Sequence, residues 1–396
     1  MRASTLVVLA MCAAVAPLAT DLYLPGFPAM RADLGVSASA VQLTLTAFLV
    51  GSALGQLVMG PLSDRFGRRS PLLVSTAVCA LAGAVCAQAP TIGVLVAARL
   101  VQGLAGAGGM VIGRAVITDL VTGRAAARAL TLMVTVMGVA PMLAPLAGGL
   151  LSGPVGWRGM LWTVAALCAA MFVAVLAGLR ETHPRQRRAE RPSVLTAYRT
   201  VVTSRAFWVP TAGVGLAFSV VMAYISASPF VYQNVVGLSA VGYGIVFGIT
   251  AVGLMATGFL SSRLVERVGP VRIVRTALTV QLLAALVLVV LTTSHAPTWL
   301  LPVLIFVAVS TNAAVIGNCA AIAMSQVREV AGTGSAVVGC VQFGAGGLVA
   351  PLVGMGGEHT AVVPAVVMAI ASVLGFGLSR LGLGQSRASS TVTATP

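Results

Sequence analysis

The sequence predicts an all-α membrane protein: twelve transmembrane helices in two six-helix bundles, related by a pseudo-two-fold axis along the membrane normal. Three observations predict it. Hydrophobic residues make up 58% of the 396 and charged residues 8%, against roughly 25% charged in a soluble domain, so the chain cannot cover a water-facing surface. Apolar runs of about 20 residues, enough for a helix to cross the hydrocarbon core, recur twelve times. A charged hairpin, Gly60 to Arg69, returns 202 residues later in weaker form as Glu266-Arg267-Val268-Gly269, as expected of a chain built from two similar halves.

In order, the spans are expected at about 5–27, 39–62, 71–89, 92–118, 128–152 and 157–179, then 206–230, 240–262, 272–293, 298–323, 334–356 and 360–380. Arg2 ahead of the first apolar run suggests a signal peptide, but the run is long, contains Asp21, and the alternation of spans and loops continues to the other end. Short connections such as Ala89-Pro90-Thr91 and Gly356-Gly357-Glu358 make their spans antiparallel neighbours. The division is residues 1–179 for the first bundle, 180–205 for a cytoplasmic linker loop, 206–380 for the second bundle and 381–396 for a small, polar, disordered tail.

All 24 basic residues are arginine. With the N-terminus inside, 20 of them lie on the cytoplasmic side, Arg31 and Arg158 lie outside, and Arg99 and Arg114 fall within a span. This asymmetry orients a multi-pass protein of the cytoplasmic (plasma) membrane with both termini cytoplasmic. The linker carries Arg180, Glu181, His183, Arg185, Arg187, Arg188, Glu190 and Arg191. Its arginines suit the anionic lipids of the inner leaflet, at roughly 1 kcal/mol each when close to the surface.

Composition excludes much else. The net charge of +15 is spread over short inter-span segments rather than one groove, which argues against nucleic acid. Without lysine there is neither a P-loop lysine nor a Schiff base. The six cysteines (Cys12, Cys79, Cys86, Cys168, Cys319, Cys340) lie in apolar runs with no CxxC pair and read as packing residues. His183, His295 and His359 fall in loops. No metal site and no cofactor is expected, and an integral-membrane transferase would lack a catalytic cluster.

Asp21 is the most informative single residue. A carboxylate within a span costs about 2.5–3.5 kcal/mol to insert, so its default reading is functional. Pro17, Asp21, Pro25 and Pro28 share roughly one helix face, where proline leaves carbonyls unpaired beside the acid. Low dielectric favours a neutral carboxyl and a nearby cation favours a charged one, so an acid there can take a proton in one conformation and lose it in another. The alternative is an ordinary acid at the outer interface. Arg99, seven residues into the fourth span, lies about 10 Å below its outer end. Asp21, about six residues below the outer end of its own span, is at comparable depth. Arg99 is expected either to act electrostatically on Asp21 or only to bond backbone carbonyls. A substrate cavity between the halves would draw on Tyr23, Gln102, Tyr224, Phe230, Asn312 and Gln342, with Asn318 and Phe343 nearby in sequence. Each of these also reads as packing.

The hairpin Gly60-Pro-Leu-Ser-Asp64-Arg65-Phe-Gly67-Arg68-Arg69 holds one carboxylate and three guanidiniums. Gly60 is expected to let a helix end pack closely, and Gly67 to let the backbone reverse. The stretch resembles the signature between the second and third spans of the major facilitator superfamily. Leu95-x-x-x-Arg99-x-x-Gln102-Gly103-x-x-Gly106 resembles that superfamily's fourth-span motif, linked to proton coupling, and Arg114 and Asp119 continue it. Gly138-Val-Ala-Pro141-Met-Leu-Ala-Pro145-Leu-Ala-Gly148-Gly149 resembles the antiporter motif of the fifth span, with Ala144-Pro145 where Gly-Pro is usual. With Thr20-Asp21-Leu22-Tyr23-Leu24-Pro25, these stretches are similar to the Bcr/CflA group of drug:proton antiporters. The resemblance implies alternating access, protons as the coupling ion, a drug-like small-molecule substrate, and a functional monomer that is not an enzyme. It also implies a conformational latch in which Asp119 pairs with an arginine of the hairpin. A proton-coupled importer, or a dedicated exporter of one metabolite, is the alternative on the same fold.

Overall fold

The computed structural model describes residues 3–182, 194–294, 297–357 and 359–381. Among them the chain forms only helices: α1 (Ala3–Asp21), α2 (Phe27–Leu34), α3 (Ala38–Phe66), α4 (Arg69–Gln88), α5 (Ile92–Leu120), α6 (Gly123–Gly178), α7 (Val194–Thr203), α8 (Arg205–Phe230), α9 (Ala240–Val268), α10 (Pro270–Thr293), α11 (Leu300–Ser310), α12 (Asn312–Ser325), α13 (Ala331–Gly354) and α14 (Val362–Leu381), with single-turn 3-10 and π segments between them. Eleven helical segments among the described residues are long and apolar enough to cross a membrane. One of them is two spans: α6 reverses at Gly156, whose φ of +62° only glycine adopts without strain. Twelve crossings result, as the apolar runs predicted. Glu190, His183, the linker arginines from Arg185 to Arg191, His295, Glu358 and the tail from residue 382 lie outside the described residues.

The second crossing of each half shows how closely the chain repeats. Positive-φ Gly35 and Gly237 end the preceding segments, and Ser37 and Ser239 cap the helices by accepting from Ala40 N–H and Gly242 N–H. Each helix then runs 29 residues to a positive-φ glycine, Gly67 (+91°) or Gly269 (+83°), where the charged hairpin turns. Every one of these pairs differs by 202 (237 − 35, 239 − 37, 269 − 67). At 1.5 Å per residue such a helix is about 43 Å long and carries its hairpin clear of the roughly 30 Å hydrocarbon core. The position 202 beyond Asp21 is Ala223, so the repeat is broken at the acid.

The helices pack α3 on α5 and α1 and α4 on α6, while α3 on α13 and α6 on α9 join the first half to the second. Small residues set these distances. A methyl group on Gly51 would overlap the Leu100 carbonyl, and one on Gly103 the Phe48 carbonyl, so α3 and α5 touch backbone to backbone. Gly60 does not serve this purpose, contrary to expectation: a methyl there would meet only Val111 Cγ1 at an ordinary 3.8 Å. The structure departs from the sequence reading at three further points. The first crossing is longer, Thr5–Leu34, with a break at its centre. The linker 180–205 is not all loop, because α7 lies within it, with Ala197 and Val201 buried. The tenth crossing is divided at Thr311.

Candidate functional site

Asp21 is the last residue of α1, and the sequence dictates why. Pro25 has no N–H for the Asp21 carbonyl, and Pro28 none for that of Leu24, so the α-helix cannot continue. A 3-10 turn, Leu24–Gly26, follows before α2 begins. This break corrects the expectation that Pro17, Asp21, Pro25 and Pro28 line one continuous helix face. It also leaves Asp21 thirteen residues from the end of its crossing (34 − 21) rather than six. The turn is held from α6, where a methyl on Gly148 would overlap the Leu22 carbonyl. From the second half, Gln233 Nε2 donates to the Pro25 carbonyl at 3.2 Å.

Asp21 is 2% exposed and its Oδ1 accepts no hydrogen bond. Arg99 is wholly buried and near enough to act on Asp21 through space, but the two form no ion pair. The guanidinium lies between the rings of Tyr23 and Phe48, 4.5 and 4.4 Å from their centroids. Its Nη1 donates to Gln102 Oε1 at 2.7 Å. Arg99 is thus met by two ring faces and one amide rather than by backbone carbonyls, and its buried Nε and Nη2 have no partner. Tyr23 Oη stands 2.9 Å from Thr44 Oγ1, and its ring supports Arg99. Gly103, next to Gln102, is the close-contact glycine against Phe48. A buried cation whose field reaches a buried, under-bonded carboxylate can bias where a proton resides.

The arginine-rich end gathers the hairpin residues. Arg68 lies between two carboxylates: Nη1 donates to Asp64 Oδ1 at 2.6 Å and Nε to Asp119 Oδ2 at 2.9 Å. Its Nη1 also reaches Ser63 Oγ at 2.7 Å. Glu181, just past α6, accepts from the Arg68 and Arg69 amides at 2.8 and 3.2 Å, capping the start of α4. Arg69 Nη2 donates to the Leu176 carbonyl, and Arg65 lies over the ring of Phe66. Apart from Glu181, in the linker, these groups belong to the first half. One bond that crosses to the second half on this face is Arg114 Nη1 to Ser335 Oγ at 3.3 Å. Tyr198 of α7 donates to the Leu57 carbonyl of α3 at 2.9 Å.

In the antiporter stretch, Gly148 seats the Leu22 turn and Gly149 meets Ala240 of α9, while a methyl on Gly138 would touch only Met255 Cγ at 3.8 Å. Pro141 and Pro145 lie inside α6 without ending it. Of the second-half candidates, Phe230 meets Phe27 with ring centroids 6.1 Å apart. Asn312 donates to the Ala308 and Val309 carbonyls, and its Oδ1 has no partner. Asn318 donates to Ser261 Oγ, Phe343 packs on Phe218, and Gln342 is half-buried on α13. Tyr224 belongs to a ring cluster with Tyr232, Tyr243 and Phe247 that sequence reasoning missed. The available signal was that three of only five tyrosines fall between positions 224 and 243. Also missed were Gln42, which donates across the seam to the Ser226 carbonyl at 2.8 Å, and Glu181.

Twelve crossings, a repeat of 202 residues and a carboxylate buried between the halves define a membrane carrier. The chain belongs to the Major Facilitator Superfamily, whose family model matches residues 9–351. Its members are transporters of small molecules that typically work as monomers, and are not enzymes. The chain is 35% identical over 387 residues to the uncharacterized MFS-type transporter YdgK of Bacillus subtilis, covering 96% of each. It is 29% identical over 346 residues to the bicyclomycin resistance protein homolog of Haemophilus influenzae, covering 85% of each. A crystal structure of a D-xylose-proton symporter shares the fold, with a TM-score of 0.76 at 14% identity over 95% of this chain and 97% of that one.

Proposed function

We propose that the protein exports drug-like or small amphipathic molecules across the cytoplasmic membrane in exchange for protons, by alternating access between two six-helix bundles. The observation that carries this reading is Asp21, buried at the break of α1 with Oδ1 unpartnered and Arg99 within electrostatic reach. Asp21 is the proton carrier and Arg99, held by Tyr23, Phe48 and Gln102, assists its deprotonation. The relative named for bicyclomycin resistance supports export. Both termini and the Arg68 cluster lie on the cytoplasmic side, where Asp64, Asp119 and Arg68 latch the ends of α3, α4 and α5, and Arg114 reaches the second half.

The proton supplies enough work. Crossing 100 mV releases about 2.3 kcal/mol, and one unit of pH adds about 1.4. Their sum, about 3.7 kcal/mol, holds a neutral substrate at a gradient of several hundredfold. Inverted membrane vesicles with an imposed pH gradient test the reading against a panel of antibiotics and dyes. Uptake of a panel compound that stops when a protonophore collapses the gradient is the expected result. Uptake unchanged by the protonophore overturns it.

A further inference from the structure

Three of the six cysteines converge on one small void inside the first half. Cys12 of α1, Cys79 of α4 and Cys168 of α6, past its reversal, line it together with Met171. Cys79 Sγ and Cys168 Sγ touch, 3.4 Å apart, although 89 residues separate them in the chain. The void exists because α5 presents glycine to it: a methyl on Gly106 would meet Cys79 Sγ at 3.9 Å. It has room for about one water molecule, too little for a drug-like molecule and enough for a single ion. Cys79 Sγ also reaches the Gln102 carbonyl at 3.8 Å, so the pair adjoins the residue that holds Arg99.

Donor chemistry and charge decide what such a site takes. No charged side chain and no histidine lines the void. Its two hydroxyls are occupied, Ser75 donating to the Ala105 carbonyl and Thr76 to that of Leu72. Sulfur is therefore the free donor, and sulfur selects soft ions over calcium or magnesium. Zinc asks for four ligands, and among the described residues no group of three His, Cys, Asp or Glu side chains gathers to hold a metal. What remains is a soft ion content with two sulfurs in line. Two thiolates around a divalent ion form an uncharged unit, whereas around a monovalent ion they leave a net negative charge in an apolar bundle, at high cost.

We propose that Cys79 and Cys168 form a two-coordinate site for a soft divalent ion, walled by Cys12 and Met171. Each thiol gives its proton to solvent, two sulfur–metal bonds form, and no electron is transferred. With bonds of about 2.3 Å, as in zinc thiolates, the sulfurs of a linear pair stand about 4.6 Å apart. The pair must therefore open from 3.4 Å, and the void beside it takes the displaced sulfur. The site is independent of the exchange reading above.

The test uses the full chain, one per nanodisc, with the half-buried Cys340 first blocked by a maleimide. Mercuric ion is the probe, and the readout is the ultraviolet charge-transfer band of a bis-thiolate, which an ion on a single thiol does not give. The band should saturate at one ion per chain, with two protons released per ion into a weakly buffered indicator. Excess zinc should leave it unchanged. Cys79→Ala and Cys168→Ala should each remove the band. An ion left on the remaining thiol should then yield to a competing monothiol at a concentration about 10²–10⁴ times lower. Cys12→Ala should keep the band, with every variant checked for monodispersity by size exclusion. No band in the wild-type chain, a band that persists in Cys168→Ala, or displacement by zinc overturns the site. A band lost in Cys12→Ala overturns the two-coordinate assignment.

Discussion

Truncating Arg68 to alanine should destabilise the first half measurably. The Arg68 side chain is 3% exposed, Asp119 13% and Asp64 35%. The arm to Asp119 is a charge-assisted hydrogen bond largely shielded from water, worth about 1.5–3 kcal/mol net. The arm to Asp64 is more than a third open to solvent and worth about 0–1 kcal/mol. The Glu181 cap engages backbone amides and survives the truncation. The total is therefore about 1.5–4 kcal/mol, which for a cooperative unit of this size lowers the melting midpoint by about 3–16 °C. The chain carries its own reporter: Cys12, Cys79, Cys86, Cys168 and Cys319 are free and buried, so a fluorogenic thiol reagent reports unfolding. Asp119→Asn should cost more than Asp64→Asn, and Arg68→Lys, which lacks the fork that spans both acids, should recover only part of the loss. An unchanged midpoint for Arg68→Ala, or the opposite order for the two acids, refutes the reasoning.

Gly148→Val should abolish transport while the protein still inserts, because its side chain must displace the Leu22 carbonyl and with it the Asp21 turn. Such overpacking costs about 1–3 kcal/mol. Gly138→Ala, with its nearest foreign atom 3.8 Å away, should transport normally and melt no lower, both read in the same vesicles. Tyr198→Phe removes the bond from α7 to the Leu57 carbonyl and should speed amide exchange over residues 194–203, at a cost of about 1 kcal/mol. A maleimide applied to the folded protein should modify Cys340, the half-buried cysteine, before the other five, as peptide mass mapping would show.

Much of the scaffold was legible because charge and glycine interrupt an otherwise apolar text. The hairpins at Gly67 and Gly269 and the reversal at Gly156 were readable because no apolar span continues through them. The depth of Asp21 was misjudged because Pro25 and Pro28 resemble a helix end, whereas the chain breaks, restarts as α2 and runs on to Leu34. The helix α7 was hidden by its arginine-rich surroundings, although Val194, Leu195, Tyr198, Val201 and Val202 recur at helical spacing. Glu181 could not be connected to the hairpin, since 112 residues separate it from Arg69 and only the packing of α4 on α6 joins them. The tyrosine cluster depends likewise on rings from α8, the π segment after it and α9 meeting in space, which no single-helix pattern contains.

The central claim is that Asp21 carries the exchanged proton. Proteoliposomes holding a trapped pH indicator, given an outward gradient of a transported compound with no other driving force, test it directly. The wild-type protein should move protons inward as the compound leaves, and Asp21→Asn should move none. Proton movement through Asp21→Asn at the wild-type rate would contradict the account.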